Sequence, residues 1–108
     1  MINKQIQVKN ANVSYHVKGS GTGVLLIHGT GGSGIGNWSS VIPRLAEEYT
    51  VVAPDYSGSG TTEDDGGKIE LEDLVEQTLS AMLNEQDAPF HVVGYSLGAV
   101  VAAALAGT

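Results

Sequence analysis

Hydrophobic and polar residues follow two different patterns along the chain, and each pattern predicts a kind of strand. Residues 4–9 and 12–18 alternate between polar and apolar side chains, which is typical of strands with one face in water. The two runs meet at residues 10 and 11, so we expect an antiparallel hairpin joined there. Residues 24–27 and 51–53 are apolar without interruption, which predicts central parallel strands that are covered on both faces.

Apolar residues that recur at intervals of three and four predict two amphipathic helices. The first covers Asn37 to Tyr49, with Asn37 as its N-cap. The second runs from about Ile69 to Asn84 and carries acidic residues in its first turn, where the helix dipole favours them. Strands and helices therefore alternate along the chain, and the second helix crosses over to the next strand.

The most informative segment is 90–106, where a short apolar strand meets Gly94-Tyr95-Ser96-Leu97-Gly98 and then an alanine-rich helix over 97–106. The two glycines allow a sharp turn and a close approach of strand and helix, so we expect Ser96 in a strained bend with its hydroxyl exposed. In a chain with 15 glycines the five-residue pattern alone is a weak signal. Its context of strand, turn and helix is what makes it informative.

Two further motifs accompany this turn, each directly after an apolar strand. They are His28-Gly29-Thr30-Gly31-Gly32-Ser33, after the strand at 24–27, and Asp55-Tyr56-Ser57-Gly58-Ser59-Gly60, after the strand at 50–54. Together with the serine turn, these motifs resemble the α/β-hydrolase family in order and spacing, over residues 4–108. The resemblance implies an α/β fold with a mostly parallel sheet, an N-terminal antiparallel hairpin and helices on both faces, in the form of a truncated α/β-hydrolase fold.

The resemblance also implies roles for individual residues. Ser96 corresponds to the nucleophile of a serine hydrolase that acts on a carboxylic ester or a related acyl substrate. The backbone N–H groups of Leu97 and Thr30, with Gly31 as the less favoured alternative to Thr30, correspond to the oxyanion hole. No cofactor and no metal are implied. The simpler alternatives are an ordinary helix N-cap for Ser96 and a plain strand-to-helix turn for residues 28–34.

The catalytic acid and base of such an enzyme are missing from these residues. The family orders its triad Ser, acid, His, and no His, Asp or Glu follows Ser96 within residues 97–108. We therefore expect residues 1–108 to be a single incomplete domain, the N-terminal portion of an α/β-hydrolase domain, which is inactive in isolation. The apolar helix and its unpaired strand favour self-association or a complementing C-terminal half. A non-catalytic fragment or pseudoenzyme module is the second hypothesis.

Other residues that could carry chemistry have simpler expected roles. His28 belongs to the His-Gly pair that fixes the loop in the family, and a role as base is its less favoured alternative. His16 and His91 are expected to be packing or surface residues. Asp55 is expected to support its turn rather than to act chemically. The acidic run at 63–65 is expected to be a solvated loop and not a metal site.

A dinucleotide-binding fold is the competing interpretation. Residues 29–34 fit Gly-x-Gly-x-x-Gly after an apolar strand, and Asp55 ends the next strand 21 residues beyond Gly34. Such a fold places its ribose-binding acid at about this distance. Against NAD binding, glycines at 34 and 36 delay the predicted helix to about Asn37, and the hairpin and the serine turn have no role in that fold.

Composition narrows the classes of partner. Twelve acidic and five basic residues give a net charge of −7, which disfavours nucleic acid and anionic membranes as partners. No cysteine is present, so disulfides and thiol chemistry are excluded. The N-terminus lacks the apolar core of a signal peptide, and the longest apolar run is shorter than the roughly 20 residues of a membrane span. We expect a cytoplasmic protein whose partner is a small acyl substrate.

Overall fold

A computed structural model of the chain describes residues 2–9, 11–29, 32–55, 70–87 and 89–107, with only the backbone of residue 35. Five strands and four helices occur in these ranges. In chain order they are β1 (Ile2–Val8), β2 (Ala11–Lys18), β3 (Thr22–Ile27), α1 (Gly34–Trp38), α2 (Ile42–Leu45), β4 (Tyr49–Asp55), α3 (Leu71–Glu85), β5 (His91–Gly94) and α4 (Leu97–Ala106).

The five strands form one mixed sheet in the order β1-β2-β4-β3-β5. The hairpin strand β2 is antiparallel to both β1 and β4. Strands β4, β3 and β5 are parallel to one another and form the parallel part of the sheet. The predicted α/β class, with an N-terminal antiparallel hairpin, is therefore confirmed, and β5 forms one edge of the described sheet.

Helices cover both faces of the sheet, as predicted. Helices α3 and α4 pack against the face that carries Leu25, Ile27 and Val52. Helices α1 and α2 pack against the opposite face, which carries Val24 and Leu26. Successive residues of β3 therefore point into two separate cores, which explains why this strand is apolar without interruption.

The hairpin turns one residue earlier than predicted. Val8 pairs with Ala11, so the turn begins at Lys9, whose positive φ of 53° suits a two-residue hairpin turn. The expected solvated face is present on β1, which is largely exposed, but not on β2. There the polar residues Ser14 and His16 are buried, because β2 lies inside the sheet and α1 packs against it.

The prediction of a single helix from Asn37 to Tyr49 is wrong, because this region contains the two short helices α1 and α2. The first begins at Gly34, and its N-cap is Ser33, whose hydroxyl oxygen accepts the N–H of the residue three positions later at 2.8 Å. Pro43 lies in the first turn of α2, where its missing N–H costs no helical hydrogen bond.

The two longer helices agree with their predicted positions. Helix α4 covers the predicted residues 97–106, and α3 ends one residue beyond the predicted end. The predicted start of α3 at residue 69 lies outside the described residues. The N–H of Glu70 donates to Asp73 Oδ2 at 2.9 Å and closes the first turn of α3. Within the described ranges, none of the helices has the length and apolar character needed to cross a membrane.

Candidate active site

Ser96 lies at a sharp turn between β5 and α4, with φ of 58° and ψ of −118°. L-residues rarely adopt this combination of angles, and holding one there stores backbone strain. The Ser96 side chain is exposed and makes no capping hydrogen bond to the helix. An ordinary N-cap residue has an extended backbone and bonds a helical N–H through its side chain, so the geometry does not match the N-cap alternative.

Close backbone packing around Ser96 requires glycine at two positions. A Cβ atom on Gly94 would overlap the carbonyl oxygen of Gly98, and a Cβ atom on Gly98 would overlap the carbonyl oxygen of Ile27 at the end of β3. The N–H of Tyr95 donates to the same Ile27 oxygen at 3.1 Å. The first turn of α4 therefore lies directly against the ends of β3 and β5.

Leu97, the first residue of α4, presents a backbone donor beside Ser96. The N–H groups of Gly98 and Ala99 donate to the carbonyl oxygens of Tyr95 and Ser96, both at 2.9 Å. The N–H of Leu97 has no hydrogen-bond acceptor among the residues that the structure describes. Because the first N–H groups of a helix carry partial positive charge, the Leu97 N–H is suited to bind an anionic oxygen.

The loop after β3 lies at the same end of the sheet as Ser96 and in contact with it. A Cβ atom on Gly29 would be 3.1 Å from Ser96 Cβ and 3.0 Å from Tyr95 Cδ2. The N–H of Gly32 donates to the carbonyl oxygen of Gly29 at 3.1 Å, which closes the segment 29–32. Thr30, the predicted second donor of the oxyanion hole, and its alternative Gly31 lie outside the described residues.

Asn37 supports this loop instead of capping a helix, so its predicted role as an N-cap is wrong. Its side-chain oxygen Oδ1 accepts the N–H of Gly29 at 2.8 Å. The same side chain packs against Gly32, where a Cβ atom would be 2.5 Å from Oδ1. The sequence does not reveal this contact, because no local pattern signals a bond between a side chain and a backbone group eight residues earlier.

His28 is fully buried below the loop. Its Nδ1 atom lies 2.8 Å from the carbonyl oxygen of Gly29, and because a carbonyl can only accept, Nδ1 carries the proton. Burial lowers the pKa of His28, although the hydrogen bond to Gly29 and the charge of Asp55 act in the opposite direction. These contacts are those of a side chain that fixes the loop, and they agree with the role expected from the sequence.

Asp55 lies at the end of β4 and is only 1% exposed. Its Oδ1 accepts the N–H of Gly34 at 2.6 Å, and its Oδ2 lies 3.6 Å from Nε2 of the buried His16. Asp55 thus connects β4, β2 and the first residue of α1. The start of α1 at Gly34 contradicts the expected delay of this helix, so the position of the helix is no argument against NAD binding. The burial of Asp55 does argue against it, because a ribose-binding acid faces a ligand crevice.

The other predicted features lie away from Ser96 or outside the described residues. His91 is exposed on β5, and its ring meets the ring of Tyr49 edge-on with centroids 5.9 Å apart. Residues 56–60 of the motif that begins at Asp55, and the acidic run at 63–65, are not among the described residues. Within the part of the chain that is described, no three His, Asp or Glu side chains are grouped closely enough to hold a metal ion.

Comparison with known proteins identifies the family. The sequence profile of the group described as "Alpha/beta hydrolase family" matches residues 24–107. The chain belongs to the α/β-hydrolase family. This α/β-hydrolase chain is 43% identical over 102 residues to pyrrolizixenacetamide deacetylase of Xenorhabdus hominickii, an alignment that covers 94% of the chain and 38% of the deacetylase.

Solved structures of α/β hydrolases share the fold. One, from Pseudomonas aeruginosa and provisionally described as an epoxide hydrolase, superposes with a TM-score of 0.88 at 33% identity, covering 97% of this chain and 36% of the other. A meta-cleavage product hydrolase superposes with a TM-score of 0.83 at 34% identity, covering 97% and 40%. The chain thus spans 36% to 40% of the length of these three relatives. Their names describe different reactions, so membership of the family does not identify a substrate.

Proposed function

We propose that Ser96 is the nucleophile of a hydrolase that cleaves carboxylic esters or related acyl compounds through an acyl-enzyme. The observation that carries the proposal is the strained backbone of Ser96, with φ of 58° and an exposed side chain. Strain of this kind persists only where the surrounding structure enforces it, and it is concentrated at functional sites. The Leu97 N–H beside it supports the same proposal.

The proposed reaction has two steps. Ser96 Oγ attacks the acyl carbon and gives its proton to a base, while the N–H groups of Leu97 and Thr30 donate to the oxygen that becomes negative. The base then protonates the leaving alcohol or amine, the acyl–serine ester forms, and water hydrolyses this ester to release the acid and restore Ser96. We place the base and its orienting acid in polypeptide beyond residues 1–108, since the family orders its triad Ser, acid, His and the chain spans only 36% to 40% of the length of its relatives.

The chemistry of serine favours an acyl substrate over an epoxide. If Ser96 opened an epoxide, the product would be an ether, which water does not readily cleave, and the enzyme would not turn over. Attack on an acyl carbon forms an ester, which activated water cleaves. Among the relatives above, the deacetylase is the one whose name describes removal of an acyl group, and Ser96 fits that class of reaction.

A non-catalytic module is the second candidate. It is favoured by the position of β5 at the edge of the described sheet, where a strand can pair with another polypeptide. In this alternative the chain acts through association with itself or another polypeptide, and the strain at Ser96 has no catalytic role.

Hydrolysis of p-nitrophenyl acetate distinguishes the two candidates. We expect the 108-residue chain to show activity barely above background, unchanged in Ser96→Ala, because it has no base. The gene product that includes all coding sequence downstream of Thr108 should turn over, and Ser96→Ala should lower its kcat by a factor on the order of 10⁶. Full activity of the Ser96→Ala variant of the full gene product would refute the assignment of Ser96 as the nucleophile. Inactivity of both the 108-residue chain and the full gene product would favour the non-catalytic module. Robust activity of the 108-residue chain that Ser96→Ala abolishes would place a base within it, with His28 as the first suspect.

A further inference from the structure

We infer that Asn37 is a positioning residue for the oxyanion loop and acts through the backbone of Gly29 and Gly32. The inference rests on the proposed function, because it concerns the donor that this loop contributes opposite Leu97. Asn37 is not assigned a contact with the substrate.

The first step concerns the N–H of Gly29. This group donates to Asn37 Oδ1 at 2.8 Å, and a backbone amide has one hydrogen to donate. Gly29 is therefore not the source of an oxyanion donor, although it lies against Ser96. The donor proposed above, Thr30, directly follows Gly29 in the chain, so holding Gly29 limits where that donor can lie.

The second step concerns the freedom of the loop. Three of the four residues in the segment 29–32 are glycine, and glycine gives a chain the widest choice of backbone angles. The Asn37 side chain contacts both ends of this segment, through the hydrogen bond to Gly29 and by packing against Gly32. The bond from Gly32 N–H to Gly29 O joins the same two ends. One side chain thus contacts both described ends of a glycine-rich segment.

The third step concerns the rigidity of Asn37 itself. It lies within α1, and its own N–H donates to the carbonyl oxygen of Ser33 at 3.1 Å. Asp55 holds the N–H of Gly34, the first residue of this helix, at 2.6 Å. The acceptor that meets Gly29 is therefore fixed to the sheet. Oxyanion stabilisation requires donors about 2.7–3.1 Å from the developing charge, and a displacement of about 1 Å can cost about 100-fold in rate.

The test uses the full gene product and an ester substrate. We expect Asn37→Ala to lower kcat by about 10- to 100-fold while KM changes by less than about threefold, because the affected interaction forms in the transition state. Asn37→Asp keeps an acceptor oxygen for Gly29 and should retain most of the wild-type kcat. Asn12→Ala is the matched control, since Asn12 is exposed and its amide donates to Gln5 Oε1 at 2.9 Å on the hairpin. Its kcat should be unchanged.

A boronic acid that forms a tetrahedral adduct with Ser96 separates positioning from general damage to the fold. Its affinity should fall in Asn37→Ala by about the same factor as kcat/KM, and the melting temperature should stay within a few degrees of wild type. If Asn37→Ala does not fold, Gly32→Ala carries the same expectation, because its methyl group would displace the Asn37 amide.

Two results would overturn the inference alone: a wild-type kcat in Asn37→Ala while Ser96→Ala is inactive, or an Asn37→Asp variant as impaired as Asn37→Ala. Activity that survives Ser96→Ala would instead overturn the proposed function and this inference with it.

Discussion

Gly98 allows α4 to begin against the end of β3, and a single methyl group tests this packing. Alanine is favoured over glycine within a helix by about 1 kcal/mol, so helix propensity alone predicts that Gly98→Ala is stabilising. The overlap of a Cβ atom with the carbonyl oxygen of Ile27 predicts the opposite. We expect the overlap to dominate and the free energy of unfolding to fall by about 1–3 kcal/mol, measured by urea denaturation of the full gene product.

Gly107→Ala is the matched control for this substitution. Its φ is −84°, and a Cβ atom there would be 3.6 Å from the nearest described neighbour, which is ordinary van der Waals contact. The free energy of unfolding should change by less than about 0.5 kcal/mol. A Gly98→Ala variant as stable as Gly107→Ala would show that the approach of α4 to β3 is looser than the structure indicates.

Single residues also show what the sequence could and could not predict at the site. The strained bend at Ser96 was predictable, because its cause lies in five consecutive residues between a strand and a helix. The contact of Asn37 with Gly29 was not, because it joins a side chain to a backbone group eight residues earlier. The burial of His16 beside Asp55 was likewise hidden, since it depends on the pairing of β2 with β4.

Among the elements, α3 is tied to the hairpin through a buried hydroxyl. Tyr15 on β2 is fully buried, and its hydroxyl donates to Glu85 Oε2 and accepts from Asn84 Nδ2, both at 2.6 Å. The pKa of Tyr15 is raised, first by burial and to a smaller extent by the hydrogen bond to Glu85. Lys4 on β1 also reaches Glu85, at 3.0 Å. The end of α3 is thus joined to both strands of the hairpin.

Tyr15→Phe tests this connection. The substitution leaves the ring in place but deprives Asn84 and Glu85 of a partner, so we expect a loss of about 1–2 kcal/mol in the free energy of unfolding. Tyr95→Phe is the control, because Tyr95 is 60% exposed and should change stability by less than about 0.5 kcal/mol. Equal stability of the two variants would contradict a structural role for the Tyr15 hydroxyl.

The helices differ in how far the sequence predicted them. The bounds of α4 were predicted because alanine is the commonest residue in 97–106 and Gly107 follows directly. The prediction of a single helix from 37 to 49 was wrong. Trp38, Ile42 and Leu45 belong to two helices, but all three pack into one core. Their spacing of three and four residues therefore continues across the break. Pro43 was the local signal of a second helix start.

At the scale of the molecule, the apolar runs in the sequence predicted which strands are buried. They did not predict which strands lie beside one another in the sheet. Strand β3 lies inside the sheet, between β4 and β5, although it precedes both of them in the chain. Strand order depends on contacts between distant residues, which no local periodicity encodes. The family resemblance provided the architecture that the residue pattern alone could not.

The edge at β5 leads to a prediction about assembly of the 108-residue chain. Three large side chains near this edge and on α4 are exposed: Val93 (43%), Tyr95 (60%) and Val100 (53%). Burying about 800 Å² of such surface would contribute about 20 kcal/mol before the costs of association are subtracted. We expect light scattering on dilute, freshly purified chain to give a mass above that of one copy, and Val100→Lys to reduce the association. A monodisperse monomer that unfolds cooperatively would contradict this expectation.

The most direct test of the central claim is covalent labelling of the full gene product with a fluorophosphonate, followed by peptide mapping in a mass spectrometer. The reagent phosphonylates a serine whose hydroxyl is activated by a base. The proposed function predicts a single label on Ser96, lost in Ser96→Ala and retained in Ser80→Ala, which removes a partly buried hydroxyl from α3. A label on any other residue, or labelling that persists in Ser96→Ala, would contradict the assignment of Ser96 as the nucleophile.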